Sequence, residues 1–359
     1  MNAKERVRRT LRHEGTDRIP MGFSANPGIY RKLLEHFAIG DGASAHEALL
    51  TALNIDIRSV HVPYVGKRLH AENADKTISV SPDWGIRTRW VDHGNGGYQD
   101  FCEFPLSELT ADIARTYPLP SPDDYDYSRV GEHCRKHAAF SVFAGGAGLV
   151  DILNGIGRLT GMEKVFLDMA LGSDALRMLI ERYVDVQFSR TERTLAASAG
   201  GIDILWIGED LGTQQGPMIS KDMYREWIRP HQKRFIDLAA RYGIPVMVHT
   251  CGSSSWAYED FIDMGVRAVD TLQPEAKQMA PAYLKRNFGG RLAFHGCIST
   301  AGPLSFGSVD ACIEDCKNTI DIMKPGGGYC FAPTHMIQDN TPVANVLAMY
   351  ETGLHYGRC

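Results

Sequence analysis

The sequence of 359 residues lacks several features that would assign it to a broad class of protein. It contains no run of about 18 uncharged apolar residues, so we expect no membrane span. Its first 15 residues are charged throughout and lack the apolar core of a signal peptide, which favours a cytoplasmic protein. In that compartment its eight cysteines are expected to be reduced and mostly buried.

Signatures of nucleic-acid and nucleotide binding are also absent. The formal net charge is −5 and no cluster of Lys and Arg marks a nucleic-acid surface, so we expect no nucleic-acid partner. The segment GFSANPG (22–28) does not match G-x-G-x-x-G, and neither GGAG (145–148) nor PGGG (325–328) continues into Lys-Ser/Thr. GGAG can still lie against a bound ligand, whereas PGGG is typical of a turn into a strand.

Eight short apolar segments, rich in β-branched residues, are separated by longer segments of helical periodicity. This alternation predicts an α/β fold with a parallel sheet, and eight repeats predict a single (β/α)8 TIM-type barrel. A doubly wound open sheet is the alternative, but it normally carries a Gly-rich turn after its first strand. The predicted strands are RIPMGF (18–23), IDIRSV (55–60), FSVFAG (140–145), IDILWIG (202–208), PVMVHT (245–250), RAVDTL (267–272), LAFHG (292–296) and YCFAP (329–333).

Residues 61–138 interrupt this alternation between the second and third predicted strands. They contain a predicted β-hairpin in residues 84–101 and a loop-like segment at 118–128. We interpret residues 61–138 as an irregular insertion that contributes a wall or lid to the active-site mouth. Because the sequence has no internal repeat and no Gly/Ser linker, it predicts one domain over residues 1–359.

The sharpest motif is His249-Thr250-Cys251, at the end of the fifth predicted strand, where the active site of a (β/α)8 barrel lies. Residues two apart in an extended segment point the same way, so this pair can bind one metal ion, and zinc accepts both ligand types. His335, after the last strand, is the first choice for a third ligand. Cys297 is a rival, and Cys330 reads better as a core thiol. The alternative is a pair that binds nothing.

Acidic and amide side chains follow other strands at the same rim. Glu209 and Asp210 end the fourth strand, and adjacent residues of a strand face opposite sides, so one carboxylate is expected to face the mouth. That carboxylate would bind substrate or transfer a proton, and the alternative for either acid is a helix cap or an ion pair. Further side chains predicted to contact substrate are Gln273, Gln214, His295 and Asn26.

An ordered series of segments resembles the uroporphyrinogen decarboxylase superfamily. The similarity is greatest to its branch of zinc- and corrinoid-dependent methyltransferases, which includes the methylcobalamin:coenzyme M methyltransferases. The resemblance covers nearly the whole chain. It is carried by NAKERVRRTLRHEGTDRIPMGF (2–23), DILWIGEDLGTQQGPMISKDMYREWIRP (203–230), PVMVHTCGS (245–253), VDTLQPEA (269–276), GGRLAFHGCIST (289–300) and GGGYCFAPTHMIQDNTPVANVLAMYE (326–351).

The resemblance implies a (β/α)8 barrel and matches His249 and Cys251 to the zinc pair of the methyltransferase branch. In that branch the third ligand is a Cys within a P-G-C-x-[IL]-P-type segment; here residues 333–338 match it, with His335 in place of the Cys. Imidazole also binds zinc, so a His-Cys-His site is expected. True uroporphyrinogen decarboxylases carry an R-Q-x-G-R segment that meets the substrate's carboxylates. Residues 23–30 contain no arginine, which argues against a tetrapyrrole substrate.

The resemblance thus implies a zinc-dependent methyltransferase that uses a corrinoid carried by a partner protein. The expected substrate is a small methylated compound, such as a methoxylated aromatic that undergoes O-demethylation, and the superfamily also implies a homodimer. One alternative is a decarboxylase or other lyase that acts on a small carboxylic acid and works after chelation. Another is an inactive binding protein that keeps the fold.

Overall fold

The computed structural model describes residues 1–94 and 96–359. The strands are β1 (Ile57–Val60), β2 (Ile78–Val80), β3 (Arg87–Asp92), β4 (Gly97–Phe101), β5 (Ser141–Gly145), β6 (Ile204–Gly208), β7 (Val246–Thr250), β8 (Ala268–Thr271), β9 (Ala293–Ile298) and β10 (Tyr329–Pro333). Seven of them form a sheet in the order β1-β5-β6-β7-β8-β9-β10, in which every neighbouring pair is parallel.

Helices alternate with the strands of the parallel sheet from β5 onward. The helices are α1 (Ala3–Leu11), α2 (Pro27–His36), α3 (Ala45–Ala52), α4 (Ala111–Thr116), α5 (Val130–Lys136), α6 (Ile152–Thr160), α7 (Met162–Ala170), α8 (Asp174–Ala197), α9 (Lys221–Trp227), α10 (Arg229–Arg241), α11 (Tyr258–Met264), α12 (Pro281–Phe288), α13 (Pro303–Phe306), α14 (Val309–Met323) and α15 (Val343–His355). Short 3-10 helices cover Pro122–Asp124 and Ser255–Ala257. Within the described residues, no helix combines the length and the apolar character needed to cross a membrane.

The predicted α/β class and parallel sheet are confirmed. Seven of the eight predicted strands form, each with bounds within two residues of those expected from the sequence. All residues of β8 and β10 are buried, as in a parallel sheet that is covered on both faces. The apolar, β-branched character of these segments therefore reflects burial on both sides.

The first predicted strand, residues 18–23, is the exception, because it forms isolated bridges and no regular ladder. Its backbone still contacts both edges of the sheet: the Met21 carbonyl accepts from the Asp56 amide before β1, and the Gly22 amide donates to Phe331 of β10. Pro20 has no amide hydrogen, which prevents a continuous ladder here. Closure into a complete eight-stranded barrel stays a prediction.

Residues 61–138 separate β1 from β5, which are neighbours in the parallel sheet. They contain a separate antiparallel sheet in the order β2-β3-β4. The hairpin predicted in residues 84–101 is confirmed by the pairing of β3 with β4, although Asn95, between these strands, lies outside the described residues. The prediction that this insertion forms a wall or lid of the mouth stays a prediction.

Candidate metal centre and ligand cavity

A cavity of about 280 Å³ lies among the parallel strands and the segments that follow them. This volume is near the lower limit for small-molecule binding sites, whose cavities have volumes of roughly 300–1,000 Å³. None of the described residues that line it is Lys or Arg, and none belongs to 61–138. The lining residues are Gly22, Phe23, Ser24, His46, Leu50, Ile55, Ile57, Ser59, Phe143, Ala147, Trp206, Met247, His249, Asp270, Thr271, His295, Ala332, Pro333, Thr334, His335 and Met336.

Three neighbouring strands place titratable side chains in one row across this cavity. In the parallel register, His249 of β7 is opposite Asp270 of β8, and Asp270 is opposite His295 of β9. Neighbouring strands are about 4.8 Å apart, so a carboxylate in the central position can reach an imidazole on each side. The row therefore depends on the register of β7, β8 and β9.

Asp270 joins the two histidines through their Nδ1 atoms. Its Oδ2 lies 2.7 Å from Nδ1 of His249, and its Oδ1 lies 2.5 Å from Nδ1 of His295. An ionised carboxylate only accepts hydrogen bonds, so each Nδ1 must carry the hydrogen. Each histidine therefore turns its Nε2 away from Asp270, which orients the His249 ring toward Cys251.

Asp210, His249 and Cys251 form a cluster that can hold a metal ion, with one ligand atom from each lying within 4.8 Å of the others. Nε2 of His249 lies 3.5 Å from Sγ of Cys251 and 3.8 Å from Oδ1 of Asp210. The same Oδ1 accepts the Cys251 amide hydrogen at 3.0 Å, while Oδ2 accepts from Asn154 at 2.9 Å. Asp210 thus contacts both ends of the predicted His-x-Cys pair.

The charges around His249 favour a cation at its Nε2. Burial lowers the pKa of His249, but the hydrogen bonds to Asp270 and Cys251 raise it by more than burial lowers it. The pKa of His249 is therefore well above its ordinary value. Burial raises the pKa of the Cys251 thiol, and His249 only partly offsets this. The two histidines hold the pKa of Asp270 below its ordinary value despite burial. A proton or a metal ion would satisfy the same surroundings.

Thr271 completes the support of His249. Its Oγ1 lies 2.9 Å from Nδ1 of His249. Its backbone has a φ of +90°, which is an outlier for a β-branched residue. A strained backbone conformation persists only where the surrounding structure holds it in place, and such conformations are concentrated at functional sites.

His295, predicted to line the pocket, does so. Burial disfavours its charge, but Cys330 and Asp270 together raise the pKa of His295 to about 10. Its Nε2 has no hydrogen-bond partner among the described residues. A Cβ at position 22 would collide with this atom, so Gly22 is the residue that admits the ring.

The structure differs from the sequence prediction in the third member of the cluster. His335 lines the cavity and is exposed, but it lies outside the group of atoms within 4.8 Å, and Asp210 occupies that position. Partial desolvation by the surrounding residues lowers the pKa of His335 although its surface remains exposed, and the nearby His249 lowers it further. Cys297, the rival ligand, is 1% exposed within the hydrophobic core, and burial raises the pKa of its thiol. Cys330 is also buried.

Glu209 and Asp210 follow directly after β6 and have different surroundings, and neither lines the cavity. The Glu209 side chain is fully buried outside the cavity lining, and its Oε2 and Oε1 accept the amide hydrogens of Ile152 and Leu153 at 2.8 and 3.0 Å. Glu209 therefore caps the first turn of α6. This position does not support the prediction that Glu209 contacts substrate. Burial raises the pKa of Glu209 well above its ordinary value, and Asp151 adds to the shift.

We expect Glu209→Gln to lower stability and to leave metal content unchanged. The amide keeps one acceptor but turns an NH2 group toward a backbone donor, which costs about 1–3 kcal/mol for a buried unsatisfied group. Chemical denaturation and elemental analysis of the same preparation would test this. Unchanged stability together with lost metal would instead connect Glu209 to the metal centre.

The other predicted substrate contacts lie outside the cavity lining. Gln273 accepts the Gly252 amide hydrogen at 2.7 Å and so supports the turn that follows Cys251. The Gln214 side chain is exposed. Asn26 precedes α2 and donates to Gln338 at 3.3 Å. Contacts of these three residues with substrate stay predictions.

Sequence reasoning missed Asp270, Thr271 and Trp206. The signal for Asp270 was an acid in the middle of a strand predicted to be buried, since an acid is almost never fully buried unless it is paired. Trp206 lines the cavity beside His249, and their ring centroids are 6.1 Å apart. The sequence did not single it out, because a Trp in a strand is equally consistent with a residue of the hydrophobic core. Nothing in the sequence marked the strained backbone of Thr271.

The fold and the site define an α/β protein with a candidate metal centre at the ends of its parallel strands. A family model for uroporphyrinogen decarboxylase matches residues 152–355, more than half of the chain. The chain therefore belongs to the uroporphyrinogen decarboxylase family. A search of curated proteins finds no match to this sequence.

Comparison with solved structures agrees with this fold. A methyltransferase from Methanosarcina mazei aligns with a TM-score of 0.65 and 16% identity, over 99% of this chain and 99% of that chain. A D-psicose 3-epimerase crystallised in the presence of D-fructose aligns with a TM-score of only 0.37 and 12% identity, over 70% of this chain and 92% of that chain. The similarity in fold to the Methanosarcina mazei protein covers nearly the whole chain, whereas the family model matches only residues 152–355.

Proposed function

We propose that this protein is a zinc-dependent methyltransferase that moves a methyl group between a small methylated substrate and a corrinoid on a partner protein. The observation that carries the proposal is the cluster of Asp210, His249 and Cys251, with His249 oriented by Asp270. The fold likeness to a protein described as a methyltransferase supports the same assignment. We also propose that residues 18–23 are the first strand of a (β/α)8 barrel, between β10 and β1.

The donor atoms fit zinc. Zinc binds thiolate at about 2.3 Å and imidazole at about 2.0 Å, so tetrahedral geometry separates two such ligand atoms by about 3.5 Å. The distance between Sγ of Cys251 and Nε2 of His249 is 3.5 Å. With Asp210, which also braces the Cys251 amide, the set supplies the three protein ligands usual in a catalytic site.

The residues of this chain would prepare the site in three ways. Asp270 accepts the Nδ1 hydrogen of His249 and keeps Nε2 directed at the ligand position. Asp210 holds the backbone of Cys251, and apolar side chains of the cavity lining, among them Phe143 and Met247, would limit the access of water. Zinc, when bound, would supply a Lewis acid with an open position for a substrate thiol or oxygen.

The cavity limits the substrate to a small molecule. At about 280 Å³ it suits a compound such as a methoxylated aromatic, and a corrinoid would have to approach from outside on its own carrier protein. A tetrapyrrole with eight carboxylates would need basic partners, and no described lining residue is Lys or Arg. A decarboxylase or other lyase acting on a small carboxylic acid is the alternative, favoured by His295, which lines the cavity and whose pKa Cys330 and Asp270 raise to about 10 against the effect of burial.

Methylation of cob(I)alamin is the direct test of this function. The purified protein, a panel of methoxylated aromatics and cob(I)alamin should together yield methylcobalamin, followed by its absorbance spectrum. Chelation should abolish the reaction and added zinc should restore it. Turnover of small acids that survives chelation would overturn the proposal in favour of the lyase.

The third ligand can be settled by paired substitutions. We expect Asp210→Asn to weaken zinc binding, because the neutral amide keeps an acceptor for the Cys251 amide but loses the negative charge of a ligand. His335→Gln should leave zinc content near the wild-type level. Competition with a chromophoric chelator would measure both affinities. The reverse result would restore the His-Cys-His site expected from the sequence.

A further inference from the structure

A second cavity, of about 290 Å³, lies on the other side of the GGAG loop. Ala147 of this loop lines the first cavity, whereas Gly146 and Gly148 line the second. The second cavity extends from the end of β1 to one face of α8, which contributes Arg190. It thus lies beside the candidate metal centre, separated from it by one loop.

The loop contributes a free backbone amide to the lining of this cavity. Within the described residues, the amides of Ala147 and Gly148 donate to no acceptor, and of these two residues only Gly148 lines the second cavity. The Gly146 amide donates to Trp206. The space beside Gly146 and Gly148 is open, with no atom within 4 Å of an added Cβ. Free amides in a glycine-rich loop are a common element of sites that bind phosphate groups.

The loop is held in this shape from α8. Val150 has a φ of +64°, which is strained for a β-branched residue, and its amide donates to Oε1 of Gln187 at 2.8 Å. Gln187 and Arg190 are three residues apart on α8 and so share a face of this helix. The contact that retains the strained loop therefore also fixes the loop relative to Arg190.

The charge of the second cavity is positive. Arg190 remains charged at any ordinary pH, and no described lining residue is Asp or Glu. Among the described residues Arg190 makes no ion pair and lies over the ring of Tyr125, 5.1 Å from its centroid. Arg193, on the same helix, pairs with Asp123 instead. A guanidinium without an acid partner, in a cavity that is also lined by a free amide, suits an oxyanion.

We propose that this second cavity is a binding site for a phosphate group, held by Arg190 and the free amide of Gly148 in the GGAG loop. The volume exceeds that of a phosphate ion and has room for a small phosphorylated molecule. This proposal goes beyond the methyltransferase assignment, because none of the residues that hold the phosphate belongs to the candidate metal centre.

Calorimetric titration of the full chain with inorganic phosphate and with glycerol 3-phosphate tests the site. Arg190→Gln should weaken binding about 10-fold or more, since hydrogen bonds between charged groups contribute strongly. Arg190→Lys keeps the charge but loses the planar, bidentate guanidinium, so its phosphate affinity should lie between those of Arg190→Gln and the wild type. Tighter binding of the ester would identify a phosphorylated ligand, and equal binding would identify free phosphate.

Arg193→Gln is the matched control on the same helix and should bind both probes like the wild type. Retained binding in Cys251→Ser would separate this site from any anion held by a metal in the first cavity. The proposal is overturned if the wild type binds neither probe up to about 10 mM. It also fails if Arg190→Gln, folded as judged by its thermal unfolding, binds like the wild type, or if acetate competes equally.

Discussion

Cys251→Ser should reduce the zinc content of the purified, tag-free protein from about one ion per chain to a small fraction of that value. The hydroxyl that replaces the thiol does not ionise at neutral pH, so the site loses its softest donor and one of its two negatively charged ligands. Since serine is nearly the same size, the fold should persist. Elemental mass spectrometry on protein prepared without chelator is the measurement.

Two other cysteines provide controls for this loss. Cys359 is exposed and far from the metal ligands in sequence, and Cys359→Ser should retain zinc. Cys297→Ser tests the rival ligand from the sequence prediction and should also retain zinc, because Cys297 is buried in the core. A zinc-free wild type, or a Cys251→Ser variant that keeps its zinc, would remove the basis of the proposed function.

The second large effect is expected from Asp270→Asn. The amide can accept a hydrogen from only one of the two imidazoles that Asp270 now joins, and its NH2 group faces the other. Loss of such a supporting carboxylate typically weakens metal binding about 10- to 100-fold. Competition with a chromophoric chelator would give the zinc affinity independently of activity.

The same variant should change the protonation of His295. In the wild type the pKa of His295 is raised to about 10, above the ordinary value of 6.5, so this group stabilises the fold most below pH 6.5 and loses that contribution as the pH rises to about 10. Without the Asp270 charge the pKa should fall toward its ordinary value. Titration by NMR of the histidine ring protons would detect the change.

Asp260→Asn is the matched control for Asp270→Asn. Asp260 is 2% exposed and pairs with Arg225, Lys221 and Arg229, and none of these residues lines the first cavity. Removing its charge should lower stability, because the buried Asp260 side chain loses its ion pairs with three cations. Zinc affinity and the His295 pKa should remain at wild-type values. If both variants weakened zinc equally, the effect of Asp270 would be one of general stability.

The sequence was sufficient for features set by local periodicity. Apolar, β-branched segments predicted β5 to β10 within two residues, because strands buried on both faces consist mainly of apolar residues. His249 and Cys251 were predicted to act together because side chains alternate along an extended chain, and the atoms lie 3.5 Å apart. Residues 18–23 failed as a regular strand because one proline removes a ladder hydrogen bond.

The tertiary structure decided which distant groups surround that pair. The register of three strands brings Asp270 between His249 and His295, and register depends on how the strands and their covering helices pack. The directions of the loops turn Asp210 toward Cys251 and leave His335 outside the cluster, while the start of α6 takes up Glu209 as a cap. Backbone periodicity determines which neighbours share a face, whereas contacts across strands and loops depend on long-range packing that a single sequence does not display.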